Sequence, residues 1–321
     1  MLLRLLKNWT LPVAMLSGML CYFLLAYIPL FAPAKPTIGK LITYATPTLI
    51  FLQLFLTFSK IELREMKPKI WHLWLILFQI VSCLLVVALL LSVEMIDSYR
   101  SAFEGLMVCL ICPTATAAAV ITGKLGGSPA TLTTYTLLSN LLAAVTVPLL
   151  FPLVEAHADI TFLAAFWKIL SKVFPLLLFP IVLAEFVRRC FPSIHRLLLK
   201  LRDASFYLWA VALAIVTGQT VQSFVHSKAS AEVLMLVAFG GLLACGIQFY
   251  LGKRIGGHYA ERISGGQALG QKNTILAIWM AYTYLNPLSS VAPGSYVLWQ
   301  NLVNSYQLWK KRKREEAQAT S

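Results

Sequence analysis

Ten mostly apolar stretches alternate along the chain with short charged or turn-forming breaks, at 11–31, 38–58, 71–93, 102–122, 129–153, 162–187, 204–225, 231–252, 264–285 and 291–309. A run of about 20 apolar residues is the length of one helical crossing of a bilayer's hydrocarbon core. The pattern therefore predicts an all-α integral membrane protein with ten transmembrane helices. Ten spans divide into two sets of five. An odd number per set makes the second set enter the membrane from the opposite face, as in the inverted repeats of many transporters. The expected organisation is a first repeat over 1–155, a second, inverted repeat over 156–309, and a basic cytoplasmic tail over 310–321.

Spans four and nine occupy matching places in the two halves, and both interrupt their apolar pattern. In span four the interruption is Cys112-Pro113-Thr114-Ala115-Thr116-Ala117-Ala118-Ala119. Proline removes an amide donor, and small residues let backbone and side-chain groups approach a cavity. Span nine opens with Ser264-Gly265-Gly266-Gln267-Ala268-Leu269-Gly270-Gln271-Lys272-Asn273. The apolar run that follows, 274–285, is too short to cross alone, so the polar half must be a discontinuous helix at membrane depth. Pro113, Gly265, Gly266 and Gly270 are the expected helix breaks. Spans five and ten are also polar for their position. Helical spacing places Thr136 and Asn140 on one face of span five, and Gln300 and Asn304 on one face of span ten. For any single Thr or Asn the plainer reading is a hydrogen bond between helices.

Composition strengthens the membrane reading. Of 321 residues, 59% are hydrophobic and 12% charged, with a mean hydropathy of +0.75, whereas a soluble domain carries about 25% charge. A net charge of +14 would suggest nucleic acid on a soluble surface, but in a membrane protein it reports topology. With both termini in the cytoplasm, 20 Lys and Arg fall in inside segments and six, Lys35, Lys40, Arg100, Lys168, Lys172 and Lys228, fall outside. A bacterial inner membrane is the expected location. Arg4 and Lys7 before an apolar run resemble a signal peptide, yet the run exceeds the usual core of about 7–15 residues. Asn8-Trp9-Thr10 matches a glycosylation sequon on the wrong side, and the basic run 310–314 reads as a topology anchor. Six cysteines lie in or beside apolar runs, and the Cys109/Cys112 pair has no His or carboxylate at ligand spacing, so neither a metal site nor a disulfide framework is expected.

Lys272 is the one basic residue near the middle of a predicted span. It lies nine residues inside the span start, roughly 13 Å from the surface if helical. A charge at that depth costs at least ~2.5 kcal/mol on insertion scales and is normally paired, neutralised or functional. The plain alternative is a misdrawn span with Lys272 snorkelling to the surface. All 13 acids fall in loops or near span ends, Glu104 among them, and Glu185 is placed to pair with Arg188 or Arg189. The interior thus holds an amine and no acid.

At these residues the sequence resembles the bile acid:sodium symporter family. Cys112-Pro113 followed by small residues stands where the family typically reads C-P-G-G-T-A-S-N, and Gly270 and Asn273 stand in its E-x-G-x-Q-N. Pro293-Gly294 leading to Trp299-Gln300-Asn301 is similar to its P-G then W-H-N. The related arsenite carriers place their cysteine after the proline, so Cys112 favours the bile acid branch. The resemblance implies spans three to five and eight to ten as a core moving against a panel of spans one, two, six and seven. Broken spans four and nine would cross at the site, and the usual activity is symport of an organic anion with two sodium ions. Carried onto this chain, the first sodium site's Ser and Asn become Ala118 and Ala119. Its span-five pair become Leu132 and Thr136, and the Glu shared by both sites becomes Ala268. At the second site Gln79 is retained and the span-nine Gln becomes Lys272.

Sodium needs several oxygens around a dehydrated ion, and an ammonium at the second site repels it. The expectation is therefore a secondary transporter of a small organic or amphipathic anion, working by alternating access without sodium, with Lys272 near Gln79 replacing a bound cation. Lys272, Asn273, Thr114, Thr116, Gln271, Gln300 and Asn301 are the expected substrate or pathway residues. Gln79, Thr136, Asn140, Ala118, Ala119, Leu132 and Ala268 are the former cation-site positions. No cofactor is expected beyond a coupled proton, and the partners are the anion and the lipid bilayer. Alternatives are a sodium-coupled symporter using Thr114, Thr116, Thr136 and Asn140, an intramembrane enzyme using Lys272 as base, or a membrane protein that has lost transport.

Overall fold

The structure, a computed structural model, describes residues 10–60, 66–155, 161–201, 204–226 and 229–319. Arg4, Lys7, the asparagine of the Asn8 sequon and Lys228 lie outside the described residues. The described chain is all-α, with one isolated β-bridge between Thr114 and Lys272. In chain order the helices are α1 (Thr10–Tyr27), α2 (Lys35–Phe58), α3 (Ile70–Ser92), α4 (Asp97–Ile111), α5 (Ala118–Leu125), α6 (Pro129–Val154) and α7 (Phe162–Cys190). They continue as α8 (Pro192–Lys200), α9 (Ala204–Val225), α10 (Ala231–Gly257), α11 (Arg262–Gly270), α12 (Thr274–Tyr284) and α13 (Val291–Ala319), with 3₁₀ turns at Pro29–Ala34 and Pro287–Ser290.

Local chemistry sets many of these boundaries. Hydroxyl or amide side chains cap four helix starts: Ser128 accepts from the Thr131 amide, Thr161 from Ala164, Ser230 from Val233 and Asn273 from Leu276, at 3.3–3.4 Å. Each satisfies an amide that the first helical turn leaves unpaired. At the end of α5, Gly126 adopts a left-handed conformation, φ 88°, which a residue with a Cβ adopts only at a cost.

Six helices or helix runs are individually long and apolar enough to cross a membrane: 29–58, 70–92, 129–154, 162–190, 207–225 and 231–257. The other four predicted spans fall short for separate reasons. The first, α1, is an 18-residue apolar helix at the edge of the described residues, the fourth and ninth are each two half-helices, and the tenth carries Gln300, Asn301 and Asn304 and runs on through the basic segment to Ala319. The nine residues of α11 and eleven of α12 are roughly 14 and 16 Å long, about half a bilayer core each. The sequence pattern does not anticipate α8, a short helix between the sixth and seventh predicted spans with no buried residue.

Packing divides the helices into two sets. In the first, α1 lies on α9, α9 on α2 and α2 on α7. In the second, α10 packs against α11, α13 and α4, while α3 packs on α4 and α6. The sets meet most extensively where α6 packs on α7, and also where α9 touches α12, α13 and the 287–290 turn and where α2 touches α12.

The α10–α11 hairpin owes its closeness to glycine. A Cβ on Gly252 would lie 2.3 Å from the Gly265 carbonyl oxygen, and one on Gly265 2.4 Å from that of Gly252. Between these helices Glu261 accepts from Lys69 Nζ at 2.6 Å. Burial alone would raise this carboxyl, but the Lys69 ammonium and the hydroxyls of Ser264 and Thr131 outweigh burial and hold it below the ordinary carboxylate value. A depressed folded-state value means that this contribution to stability is complete at neutral pH, above the unfolded value, and is lost as pH falls through the folded one. Glu261→Gln is therefore expected to lower the melting temperature at pH 7 while converging on wild type below about pH 4, as read by thermal unfolding in detergent across pH.

Candidate transport site at the crossed breaks

The two interruptions meet. Helix α4 stops at Ile111 and α11 at Gly270, and between each pair of half-helices the chain is extended. There the Ala115 amide donates to the Gln271 carbonyl and the Asn273 amide to the Pro113 carbonyl, both at 2.8 Å. This short antiparallel pairing satisfies backbone groups that no water could reach in a bilayer core. Pro113 fits because its carbonyl, and not the amide it lacks, takes part.

A broken helix leaves carbonyls exposed at the end of its first half, and each must find a donor. Gln79 Nε2 donates to Leu110 O at 3.0 Å, and Lys272 Nζ donates to the same oxygen at 3.3 Å. Gln248 Nε2 donates to Cys109 O at 3.2 Å. On the other half-helix, Tyr296 donates to Gly270 O at 2.7 Å and Thr114 Oγ1 to Ala268 O at 2.6 Å. Each interruption thus caps the half-helix of the other, Lys272 on α4 and Thr114 on α11. The carbonyl end of a helix carries partial negative charge, so an ammonium there is favourably placed.

Lys272 is 1% exposed. Cys112, Cys109 and Cys83 lie within electrostatic reach of its ammonium. The lysine does not snorkel, and it is too deeply covered to touch a solute in this conformation. Gln300 accepts from the Lys272 amide at 2.9 Å, and Asn304 accepts from Gln267 at 2.9 Å, so the polar face of α13 grips both sides of the α11 end. Thr114, Gln271 and Gln300 are buried, whereas Thr116, Asn273 and Asn301 are partly exposed. Asn273 caps α12, and Asn301 bonds back to Val297 O at 2.7 Å.

The positions that the resemblance assigns to the cation sites separate into two groups. Ala118, Leu132 and Ala268 are fully buried in one apolar cluster with Trp71, Leu75, Tyr135 and Leu269, and Ala119 packs at its edge. Thr136 turns its hydroxyl onto Leu132 O of its own helix at 3.1 Å, and the Asn140 amide is buried without a hydrogen-bond partner among the described residues. Gln79 alone reaches the carbonyls where Lys272 sits. The span-five residue that does touch the crossing is Ser139, which accepts from the Thr114 amide at 3.1 Å.

Residues 14–301 match the family model described as the SBF-like CPA transporter family. The chain belongs to this family. Membership in a transporter family, together with long apolar helices, makes the protein an integral membrane transporter. It also bears out the resemblance to bile acid:sodium symporters drawn from the motifs around Pro113 and Asn273. A search of the curated proteins returns no match.

Sequence reasoning misses four contributors to this transporter's centre: Tyr135, Ser139, Gln248 and Tyr296. Tyr135 donates to Gln79 Oε1, and Tyr296 is within 3.3 Å of Gln248 Nε2. A Gln inside an otherwise apolar run is itself the available signal, since an unpartnered amide in a bilayer is costly. One further expectation is corrected. The apolar pattern puts Glu104 near a span end, but α4 begins at Asp97, which sets Glu104 two turns inside the helix and 1% exposed. The interior therefore holds an acid as well as an amine.

Proposed function

We propose that the protein is a secondary transporter of a small organic anion that works by alternating access without sodium, with Lys272 as a built-in cation. The observation that carries this reading is the pairing of Lys272 and Gln79 on one carbonyl at the end of α4, beside an apolar cluster where the resemblance puts sodium ligands. Methyl and isobutyl groups at 118, 132 and 268 offer no oxygen to a dehydrated ion. The fixed ammonium supplies positive charge at the helix end without an ion having to bind. Buried as it is, Lys272 belongs to the framework of the site. Thr116, Asn273 and Asn301 are the polar groups accessible to a solute, beside the N-terminal ends of α5 and α12, whose dipoles favour an anion.

Ten crossings in a five-plus-five inverted arrangement are the organisation we favour, with both termini cytoplasmic. What supports it is the repetition of parts: a Gln on α3 and on α10, a Tyr on α6 and on α13, and a broken helix between each pair. The two packing sets correspond to a panel (α1, α2, α7, α9) and a core. Their contacts lie along the α6–α7 pair and, from α9, at α12, α13 and the turn after α12.

The test is thermal stability of the purified protein in sodium against potassium, followed by counterflow of candidate carboxylates in proteoliposomes. Equal melting temperatures in the two salts and sodium-independent uptake are expected. A saturable, sodium-specific rise in melting temperature overturns the sodium-free reading.

A further inference from the structure

We propose that Glu104 is a proton-binding site that works the outer gate. The carboxylate lies two turns inside α4 and is 1% exposed. Its near partners are few. Ser289 Oγ donates to Oε2 at 2.6 Å, and Arg100 Nε stands 3.5 Å from Oε1. The rest of that guanidinium is engaged elsewhere, donating to the carbonyls of Leu90 and Val154. Among the described residues, the charged group facing Glu104 besides Arg100 is Glu155 from the end of α6, and the backbone amide of Asn286, just before the 287–290 turn, adds a donor. On the α13 side, α4 meets the methyl of Ala292 at Gly105.

An ionised carboxylate with one imperfect ion partner is expensive in a bilayer. The Ser289 hydroxyl can serve either state, donating to the carboxylate or accepting from the carboxylic acid. The site is thus built to hold the proton or to release it, and the step consists of one proton moving between water and a carboxylate oxygen. Arg100, partly exposed one turn away, marks the side from which water can approach.

The neighbouring residue connects this step to motion. Ser290, whose hydroxyl donates to Pro287 O at 2.7 Å, brings its Oγ to 3.5 Å from Ser223 Oγ of α9, a close approach between the two packing sets. A Cβ on Gly294 would meet Thr220 at 2.7 Å, so α9 and α13 are in close contact there too. Reversing the Ser289 hydrogen bond shifts the turn that also holds Ser290 against α9. Protonation of Glu104 therefore changes the outer contact on which closure depends.

The experiment uses the full chain in liposomes with protons as the probe. Infrared difference spectra between acidic and alkaline pH should show the carbonyl band of a protonated carboxylic acid that disappears in Glu104→Gln and remains in Lys272→Gln. Ser289→Ala keeps the carboxylate and should raise the band's midpoint by roughly half to one pH unit, because the hydroxyl's bond to the ionised carboxylate is stronger than the one it accepts from the acid. It carries the test if Glu104→Gln does not fold. Spin labels at the exposed positions 224 and 298 should report a distance that changes with pH in wild type and stays fixed in Glu104→Gln. A band that titrates identically in wild type and Glu104→Gln, or is untouched by Ser289→Ala, overturns the proton site. A wild-type distance insensitive to pH, or a pH-dependent one that survives Glu104→Gln, overturns the coupling to the gate. Only the second readout rests on the alternating-access reading, so the two failures are distinguishable.

Discussion

Replacing Lys272 with methionine is expected to abolish transport and to destabilise the protein by about 1.5–3 kcal/mol, the usual worth of a hydrogen bond to a charged group. Methionine nearly conserves volume, so the loss isolates the ammonium from packing. Relief of the lysine's own desolvation opposes that loss, and a double-mutant cycle with Gln79→Leu separates the two effects. Both side chains donate to Leu110 O, and removing either leaves the oxygen one donor. Removing both leaves Leu110 O without a side-chain donor, while Gln248 still serves Cys109 O. The coupling should be about 0.5–3 kcal/mol, the range for residues sharing a partner, and should vanish between Lys272→Met and a distant change such as Lys69→Met. Sodium should not rescue Lys272→Met, because Ala118, Leu132 and Ala268 still fill the space an ion's ligands need. Restoration of stability by sodium alone would show that an oxygen site persists beneath the lysine.

Much of this centre is legible in the order of residues along the chain. Pro113 marks the first break and Gly270, the last residue of α11, the second, whereas Gly265 and Gly266, also expected as breaks, lie inside α11, where the lack of a side chain lets α10 approach. The burial of Lys272 is what counting residues into the ninth run anticipates. The exchange of caps is not legible, since hydrogen-bond partners such as Lys272 and Leu110 lie 162 positions apart and pairing of that kind is set by the crossing. The face of span five misleads for a related reason. Thr136 and Asn140 are the polar pair at helical spacing, yet Ser139, one residue before Asn140, is the side chain that meets Thr114. Thr136 satisfies itself on its own helix, as threonine can in any helix. Glu104 escapes because an apolar-run boundary drawn at 102 hides the five residues of helix that precede it. Helix α8 escapes because nine amphipathic residues look like a loop to a scan for long apolar runs.

The second large effect is expected where no charge is involved. Gly265→Ala should cost about 1–3 kcal/mol or more and should disable the site, although position 265 contacts no substrate group. Its added Cβ would stand 2.4 Å from Gly252 O, 2.9 Å from Gly256 Cα and 3.2 Å from Gly256 N. All three are backbone atoms, so no side chain can rotate away, and α10 and α11 must separate. Small residues allow such close approach between membrane helices, and overpacking normally costs in this range. Separation pulls on α11, whose Ala268 carbonyl receives Thr114 and whose Gly270 carbonyl receives Tyr296. The crossed breaks should therefore lose their mutual caps together. A control is available on α10 itself: a Cβ at Gly240 or Gly246 meets nothing within 4 Å. Alanine there should be neutral or stabilising by up to about 1 kcal/mol, the helix-propensity difference. Melting temperature and counterflow measured on the three variants give the comparison. If Gly265→Ala melts and transports like Gly246→Ala, the two helices are not held in contact, and the alignment of Thr114 with Ala268 must depend on something other than the hairpin.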